Sequence, residues 1–215
     1  MINIDCKRGF LRWALGCTLL LALQVQAGVD SGARTILVLG DSISAAYGMS
    51  LSEGWVALLA ERLQNTHPEY RVVNASISGE TSGGAGSRIA PLLAEHNPAV
   101  VVIELGGNDG LRGYPIKRFR NNMREMIEQS QGVDAAVLLL GMQIPPNYGA
   151  RYTQQFRDTY SRLAQELSVA LVPFLLEGVA TDTSLMQGDG IHPSIKAQSL
   201  LLATVWPVLQ PLLEP

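Results

Sequence analysis

Ile36-Leu37-Val38-Leu39-Gly40-Asp41-Ser42-Ile43-Ser44 is the stretch of this 215-residue chain that decides its fold. Four consecutive apolar residues end at a glycine, and this pattern predicts a short buried strand that stops in a turn. Ser42 then lies just past the carboxyl end of the strand, where open α/β sheets bind their ligands. We interpret Ser42 as a nucleophile. The alternative is a serine that caps a helix, since Asp and Ser both favour that position.

Further apolar runs at residues 72–75, 100–105, 135–140 and 170–172 predict four more strands. Between the runs, apolar residues recur with helical spacing at 55–63, 119–127 and 156–167, and residues 90–96 predict a shorter helix. Continuous apolar strands that alternate with helices indicate a mainly parallel sheet with both faces covered. No repeat, linker or low-complexity tract divides the chain. We therefore predict a single three-layer α/β/α domain with a five-stranded sheet.

Polar and glycine-rich loops follow several of these strands, at residues 76–86, 106–110 and 188–193. Because parallel strands share a carboxyl end, these loops are expected on the same edge of the sheet as Ser42. Turn chemistry would explain each loop alone, since Gly, Asn and Asp favour turns. It does not explain why all of them carry these residue types on one edge.

A serine hydroxyl needs a nearby base, and that base needs a third group to orient it. The sequence contains three histidines. His67 and His96 are expected on the amino-terminal side of the sheet, away from Ser42. His192 lies on a loop of the opposite edge, and Asp189 precedes it by three residues. The alternative for Asp189 and His192, which stays open at this point, is that they cap the last predicted helix, Ser194 to about Val205.

Acyl transfer also needs hydrogen-bond donors for the oxyanion. Three candidates are the backbone N–H groups of Ser42 and Gly79 and the side-chain amide of Asn108. Glycine allows close approach of the backbone to a substrate, and an amide donates without adding charge.

These residues resemble, in order, the four sequence blocks of the SGNH (GDSL-type) hydrolases. The matching blocks are Gly40-Asp41-Ser42, Gly79, Gly106-Gly107-Asn108-Asp109 and Asp189-Gly190-Ile191-His192-Pro193. Residues 105–113 and 146–149 are similar to one branch of that family, the bacterial periplasmic thioesterases also described as lysophospholipases and arylesterases. The resemblance implies a flavodoxin-like fold. It also implies Ser42 as nucleophile, His192 as base, Asp189 as its orienting group, and an oxyanion hole of Ser42, Gly79 and Asn108.

The resemblance further implies hydrolysis of aryl and alkyl esters, acyl thioesters and lysophospholipids, with no metal and no organic cofactor. A carbohydrate O-deacetylase of the same superfamily is the alternative enzyme, although the few aromatic residues form no obvious sugar platform near the blocks. A non-catalytic binding module is the alternative outside enzymes.

Several apolar residues near the blocks are candidates for contact with an acyl chain, and loop 141–151 is a candidate wall of the substrate site. Ordinary core packing is the alternative for all of them. The candidates are Leu111, Ile144, Pro146, Tyr148 and Ile191.

The first 27 residues have the pattern of a secretory signal peptide: cations at positions 7, 8 and 12, an apolar stretch at 13–23, and a small-x-small site ending at Ala27. The apolar stretch has about half of the roughly 20 residues that a membrane-spanning helix needs, so we expect no stable span. The prediction is a cleaved signal over residues 1–27 and one domain over residues 28–215, in a periplasmic or secreted protein.

Removal of the signal would take away both cysteines, three cations and one anion, so the net charge of −3 would become −5. A chain of this charge is not expected to bind nucleic acid, because phosphate binding requires clustered cations. We expect a monomer whose partner is a small acyl ester, thioester or lysophospholipid.

Overall fold

The computed structural model describes residues 32–214. The predicted signal segment, 1–27, lies outside the described residues, so its cleavage stays a prediction. Among residues 32–214, no helix has both the length and the apolar character required to cross a membrane.

A five-stranded sheet forms the centre of the domain, and all neighbouring strands are parallel. Their spatial order is β2-β1-β3-β4-β5, which is the flavodoxin-like doubly wound order. The strands are β1 (Arg34–Gly40), β2 (Tyr70–Asn74), β3 (Val100–Glu104), β4 (Ala136–Leu140) and β5 (Ala170–Val172). Each of the apolar runs forms a strand, and the α/β prediction is confirmed.

The described chain has six α-helices, five of which cover the two faces of the sheet. The first and last pack together on one face, whereas the second, fourth and fifth cover the other. They are α1 (Trp55–Thr66), α2 (Ser82–His96), α3 (Gly107–Leu111), α4 (Ile116–Gln131), α5 (Ala150–Leu167) and α6 (Gln198–Leu209). The three-layer prediction is therefore confirmed.

Helix α2 begins eight residues earlier than the predicted helix over 90–96. Its first turn consists of Ser82 and the glycines that sequence reasoning assigned to a loop. Thr81 caps the helix by accepting a hydrogen bond from the N–H of Gly84 at 3.2 Å. The Asp109 carboxylate accepts from both the N–H and the hydroxyl of Ser82, at 2.8 and 2.6 Å. These bonds stabilise the first turn of the helix. The low helix propensity of glycine is why the sequence predicts a loop there instead.

An aromatic cluster supports the turn at the end of β3. The rings of Phe119 and Phe156 stack at 5.0 Å, and the Tyr160 hydroxyl donates to the carbonyl of Leu105 at 2.8 Å. Gly106 follows with φ +117°, and a Cβ there would lie 2.3 Å from the Tyr160 hydroxyl. Glycine is required at this position, and the turn directs residues 107–111 across the carboxyl edge of the sheet.

Candidate active site

Ser42, His192 and Asp189 form a continuous chain of polar contacts at the carboxyl edge of the sheet. Ser42 Oγ lies 2.9 Å from His192 Nε2, and His192 Nδ1 lies 2.6 Å from Asp189 Oδ2. Ser42 follows β1, whereas the other two residues belong to the loop before α6, with His192 150 positions later in the chain. This is the arrangement of nucleophile, base and orienting carboxylate that acyl transfer by a serine requires.

The Asp189 carboxylate is fixed by its own loop. Its Oδ1 accepts from the backbone N–H groups of Ile191 and His192, at 2.9 and 3.0 Å. The backbone N–H of His192, followed by its side chain and by the N–H of Ile191, lowers the pKa of Asp189 to about 2. The group is therefore an anion at any pH near neutrality, and it can accept a hydrogen bond from a protonated Nδ1 of the imidazole.

The turn that carries Ser42 is built over a buried glutamate. Glu104, at the end of β3, lies opposite Gly40 in the register of the sheet. Its Oε2 accepts from the N–H of Asp41 at 3.2 Å, and from the N–H and hydroxyl of Ser44 at 3.3 and 2.8 Å. A Cβ at Gly40 would lie 2.9 Å from this oxygen and 2.7 Å from the Cβ of Ser44, so the turn has room only for glycine.

Asp41 is also buried beneath the site, and it contacts the candidate oxyanion donor. Its Oδ1 accepts from the N–H of Ile43 at 3.0 Å, and its Oδ2 accepts from Nδ2 of Asn108 at 3.2 Å. Burial raises the pKa of Asp41 to about 6. Burial, together with the charge of Asp41, raises the pKa of Glu104 well above its usual value.

The structure places the three candidate oxyanion donors on the loops after adjacent strands. Asn108 lies in α3, directly after the Gly106 turn, and one of its two amide hydrogens is used by Asp41. Gly79 lies in the turn after β2, which is tied to β1 by a bond from the N–H of Ile77 to the carbonyl of Gly40 at 3.0 Å. With φ +80°, Gly79 adopts a conformation that favours glycine.

A cleft of about 500 Å³ opens beside Ser42 and His192, over the ends of β3, β4 and β5. Its volume lies within the range of ligand sites in proteins. Four of the five predicted substrate residues line it: Leu111, Ile144, Pro146 and Ile191. Met142, from the predicted wall loop 141–151, also lines it. Sequence reasoning missed three further apolar lining residues: Phe174, Leu176 and Met186.

Tyr148 is the predicted substrate residue that the structure does not bring to the cleft. Its hydroxyl donates to the carbonyl of Leu111 at 2.9 Å, and its ring borders a separate depression beside Tyr152. The side chain is not among those that line the cleft. Tyr148 instead bonds to the backbone of Leu111, a residue that does line it. Loop 141–151 does form that wall, through residues 142–146.

The other two histidines lie on the opposite edge of the sheet, as predicted. His67 ends α1 just before β2, and His96 is the last residue of α2 before β3. The ring of His67 packs against that of Trp206 at 5.7 Å.

Two contacts of the loops that carry Ser42 and His192 gave no signal in the sequence. The ring of Tyr47 lies 4.4 Å from the imidazole of His192. The side chain of Gln187 donates to the carbonyl of Tyr47 at 2.7 Å. An aromatic residue five positions after Ser42 is visible in the sequence, but its partners are about 140 residues away.

Residues 38–200 match the model of the GDSL-like Lipase/Acylhydrolase family. The chain is 54% identical to Esterase TesA of Pseudomonas aeruginosa over 198 residues, which cover 92% of this chain and 96% of the relative. It is 42% identical to Thioesterase 1/protease 1/lysophospholipase L1 of Escherichia coli, over 94% of this chain and 95% of that one. The crystal structure of TesA superimposes with a TM-score of 0.81 at 55% identity, over 83% of this chain and 99% of that chain.

The fold, the order of the sequence blocks and this similarity together define the class of protein: the chain belongs to the GDSL-like lipase/acylhydrolase family, the SGNH hydrolases.

Proposed function

We propose that this serine esterase hydrolyses carboxylic esters and thioesters through an acyl-enzyme formed on Ser42. The observation that carries the proposal is the unbroken contact chain from Ser42 Oγ through the His192 imidazole to the Asp189 carboxylate. The relatives are named esterase, thioesterase and lysophospholipase, and these activities define the substrate class: aryl and alkyl esters, acyl thioesters and lysophospholipids.

In the proposed cycle, Ser42 Oγ attacks the carbonyl carbon while His192 Nε2 takes the hydroxyl proton. Asp189 holds the tautomer with the proton on Nδ1 and stabilises the imidazolium that forms. The N–H groups of Ser42 and Gly79 and the free amide hydrogen of Asn108 stabilise the oxyanion. The imidazolium gives its proton to the departing alcohol or thiol. The neutral ring then takes a proton from the water that attacks the acyl-enzyme, and it returns this proton to Ser42 Oγ as the acid leaves.

The apolar lining of the cleft favours an acyl chain over a sugar. Each buried methylene contributes about 0.8 kcal/mol, which corresponds to roughly fourfold in kcat/KM. Apolar side chains line the cleft, Met142, Ile144 and Leu176 among them, so a chain that enters replaces water along an apolar surface. We therefore expect kcat/KM to rise with chain length until the cleft is filled. An O-deacetylase would instead show its highest value with acetyl esters.

The test uses the protein lacking residues 1–27, with Ser42→Ala compared against Ser52→Ala, an exposed serine in the turn before α1. The Ser42 variant should lose hydrolysis of aryl esters and acyl-CoA thioesters and should no longer react with a serine-directed phosphonate. The control should keep both properties. Full turnover by Ser42→Ala would refute the proposed nucleophile.

The proposal extends to location and assembly. A cleaved signal over residues 1–27 would deliver a monomeric enzyme to the periplasm or the medium. Fractionation of expressing cells and light scattering of the purified protein test these two points.

A further inference from the structure

The loop that carries His192 is closed on itself at its neck. The N–H of Gln187 donates to the carbonyl of His192 and the N–H of Ser194 to that of Leu185, both at 2.7 Å. These bonds flank an antiparallel bridge between Met186 and Pro193. The neck and the Asp189 carboxylate therefore fix His192 within its own loop. They do not fix it relative to Ser42, which belongs to another part of the chain.

The turn after Ser42 presents the carbonyl of Tyr47 to this neck. The N–H of Tyr47 donates to the carbonyl of Ser42 at 3.0 Å, so the position of Tyr47 follows that of the nucleophile. Ala46 and Gly48, on either side, have φ +55° and φ +76°. The left-handed conformation is strained at Ala46, which is not a glycine, and strain of this kind persists only where the surrounding contacts hold it.

The Gln187 amide joins the two loops. Its Nε2 donates to the carbonyl of Tyr47 at 2.7 Å and to that of Pro193 at 3.0 Å, so both of its hydrogens are used. The approach is close: a Cβ at Gly48 would lie 2.3 Å from Gln187 Oε1. Tyr47 adds a second contact, because its ring lies 4.4 Å from the His192 ring.

From these contacts we infer that Gln187 is a positioning residue that sets the distance between Ser42 and His192. It acts through the carbonyl groups of Tyr47 and Pro193. The inference rests on the proposed roles of Ser42 and His192. A base displaced by about 1 Å can lose about 100-fold in rate, and a link directly between the two loops protects against that displacement.

The experiment replaces the amide in two ways. Gln187→Glu keeps the shape but places a carboxylate against two carbonyl oxygens, whereas Gln187→Met keeps the volume and removes both donors. We expect kcat for a short aryl ester, and the rate at which a small phosphonate labels Ser42, to fall together by about 10- to 100-fold in the Glu variant. The Met variant should lose less, and KM should change less than about twofold in both, since neither change touches the cleft lining.

Gln131→Glu is the matched control. The Gln131 amide donates to the carbonyl of Leu167 at 2.9 Å and joins the ends of α4 and α5, on the edge of the sheet opposite the site. The melting temperature of every variant is measured. A fall in kcat with the folded fraction intact, absent from Gln131→Glu, supports the positioning role.

A kcat within about twofold of wild type in Gln187→Glu would overturn the inference, because a displaced base loses more than that. The inference would also be overturned if kcat in both Gln187 variants fell only in proportion to the fraction of folded protein. The Ser42→Ala variant separates failure of the proposed function from failure of this inference. An active Ser42→Ala would refute the proposed nucleophile. An inactive Ser42→Ala together with a fully active Gln187→Glu would refute only the positioning role of Gln187.

Discussion

Asp189→Asn is the substitution whose consequence can be worked out most fully from the structure. The carboxylate accepts three hydrogen bonds: two from backbone N–H groups on Oδ1 and one from His192 Nδ1 on Oδ2. An amide of the same size has one accepting oxygen and one donating nitrogen, so it cannot satisfy all three donors. The introduced amide can therefore take either of two orientations.

In the first orientation, the oxygen keeps the two backbone bonds and the amide nitrogen faces His192 Nδ1. The imidazole must then carry its proton on Nε2, where it can no longer accept the proton of Ser42. A wrong tautomer of this kind lowers kcat by about 10⁴-fold. In the second orientation, the oxygen faces Nδ1 and the two backbone N–H groups lose their acceptor, at about 1–3 kcal/mol each.

Only the second orientation keeps the active tautomer. The free energy of its two unsatisfied N–H groups therefore sets the fraction of active enzyme, and with it the smallest expected loss in kcat. A total of about 2–6 kcal/mol corresponds to roughly 30-fold or more in rate, and the first orientation limits the loss to about 10⁴-fold. Because the Asp189 side chain is 38% exposed, water can reach the freed N–H groups. The cost of leaving them without a protein acceptor is then in the lower half of that 2–6 kcal/mol range (~2–4 kcal/mol). The loss should appear in kcat for an aryl ester, with KM little changed.

Asp182→Asn is the control, because Asp182 accepts from the N–H and hydroxyl of Ser184 in a similar turn without contacting an imidazole. Its kcat should stay within about twofold of wild type, as expected for a surface change away from the reacting groups. If Asp189→Asn retained most of the wild-type kcat, the proposed orienting role of the carboxylate would be refuted.

Three further predictions follow from the site. Asn108→Ala removes one proposed oxyanion donor and should lower kcat by about 10²–10³-fold, and an unchanged kcat would exclude Asn108 from the hole. Leu111→Trp narrows the cleft and should lower kcat/KM for a decanoyl ester by roughly tenfold relative to the acetyl ester, since about two methylenes lose their contacts; equal loss for both esters would contradict the proposed acyl site. Burial raises the pKa of Asp41 to about 6 and that of Glu104 well above its usual value, so the folded pair holds protons that the unfolded chain has released. The stabilising contribution of each group is present below about pH 4 and is lost as the pH rises through its folded pKa, which for Asp41 is about 6. Glu104→Gln should therefore flatten the fall in the free energy of unfolding as the pH rises above about 4, measured by urea denaturation, and an unaltered slope would show that Glu104 does not contribute to that fall.

The sheet could be predicted because each strand is a continuous apolar run, and because burial on both faces leaves no alternation to misread. The candidate site followed from the same fact. Once the strands are parallel, Ser42, Asn108 and His192 must all emerge at one edge, however far apart they lie in sequence.

Other features depend on partners that sequence spacing does not reveal. The first turn of α2 contains several glycines, and it is stabilised by Asp109, 27 residues away from Ser82. Tyr148 lies close to the cleft in sequence, yet its side chain is not among those that line it. The link from Gln187 to Tyr47 spans 140 residues and involves a backbone carbonyl, which any residue would supply.

Glu104 shows why a buried carboxyl group is retained beneath Ser42. Replacing a buried polar group by an apolar side chain can be nearly neutral or stabilising when its hydrogen-bonding partners are replaced too. Here the donors are the N–H of Asp41 and the N–H and hydroxyl of Ser44, and the two backbone N–H groups cannot be removed by substitution. Without an acceptor, each would cost about 1–3 kcal/mol. Because β3 fixes the position of this acceptor, it also fixes the turn after β1, and with it the point at which Ser42 enters the cleft.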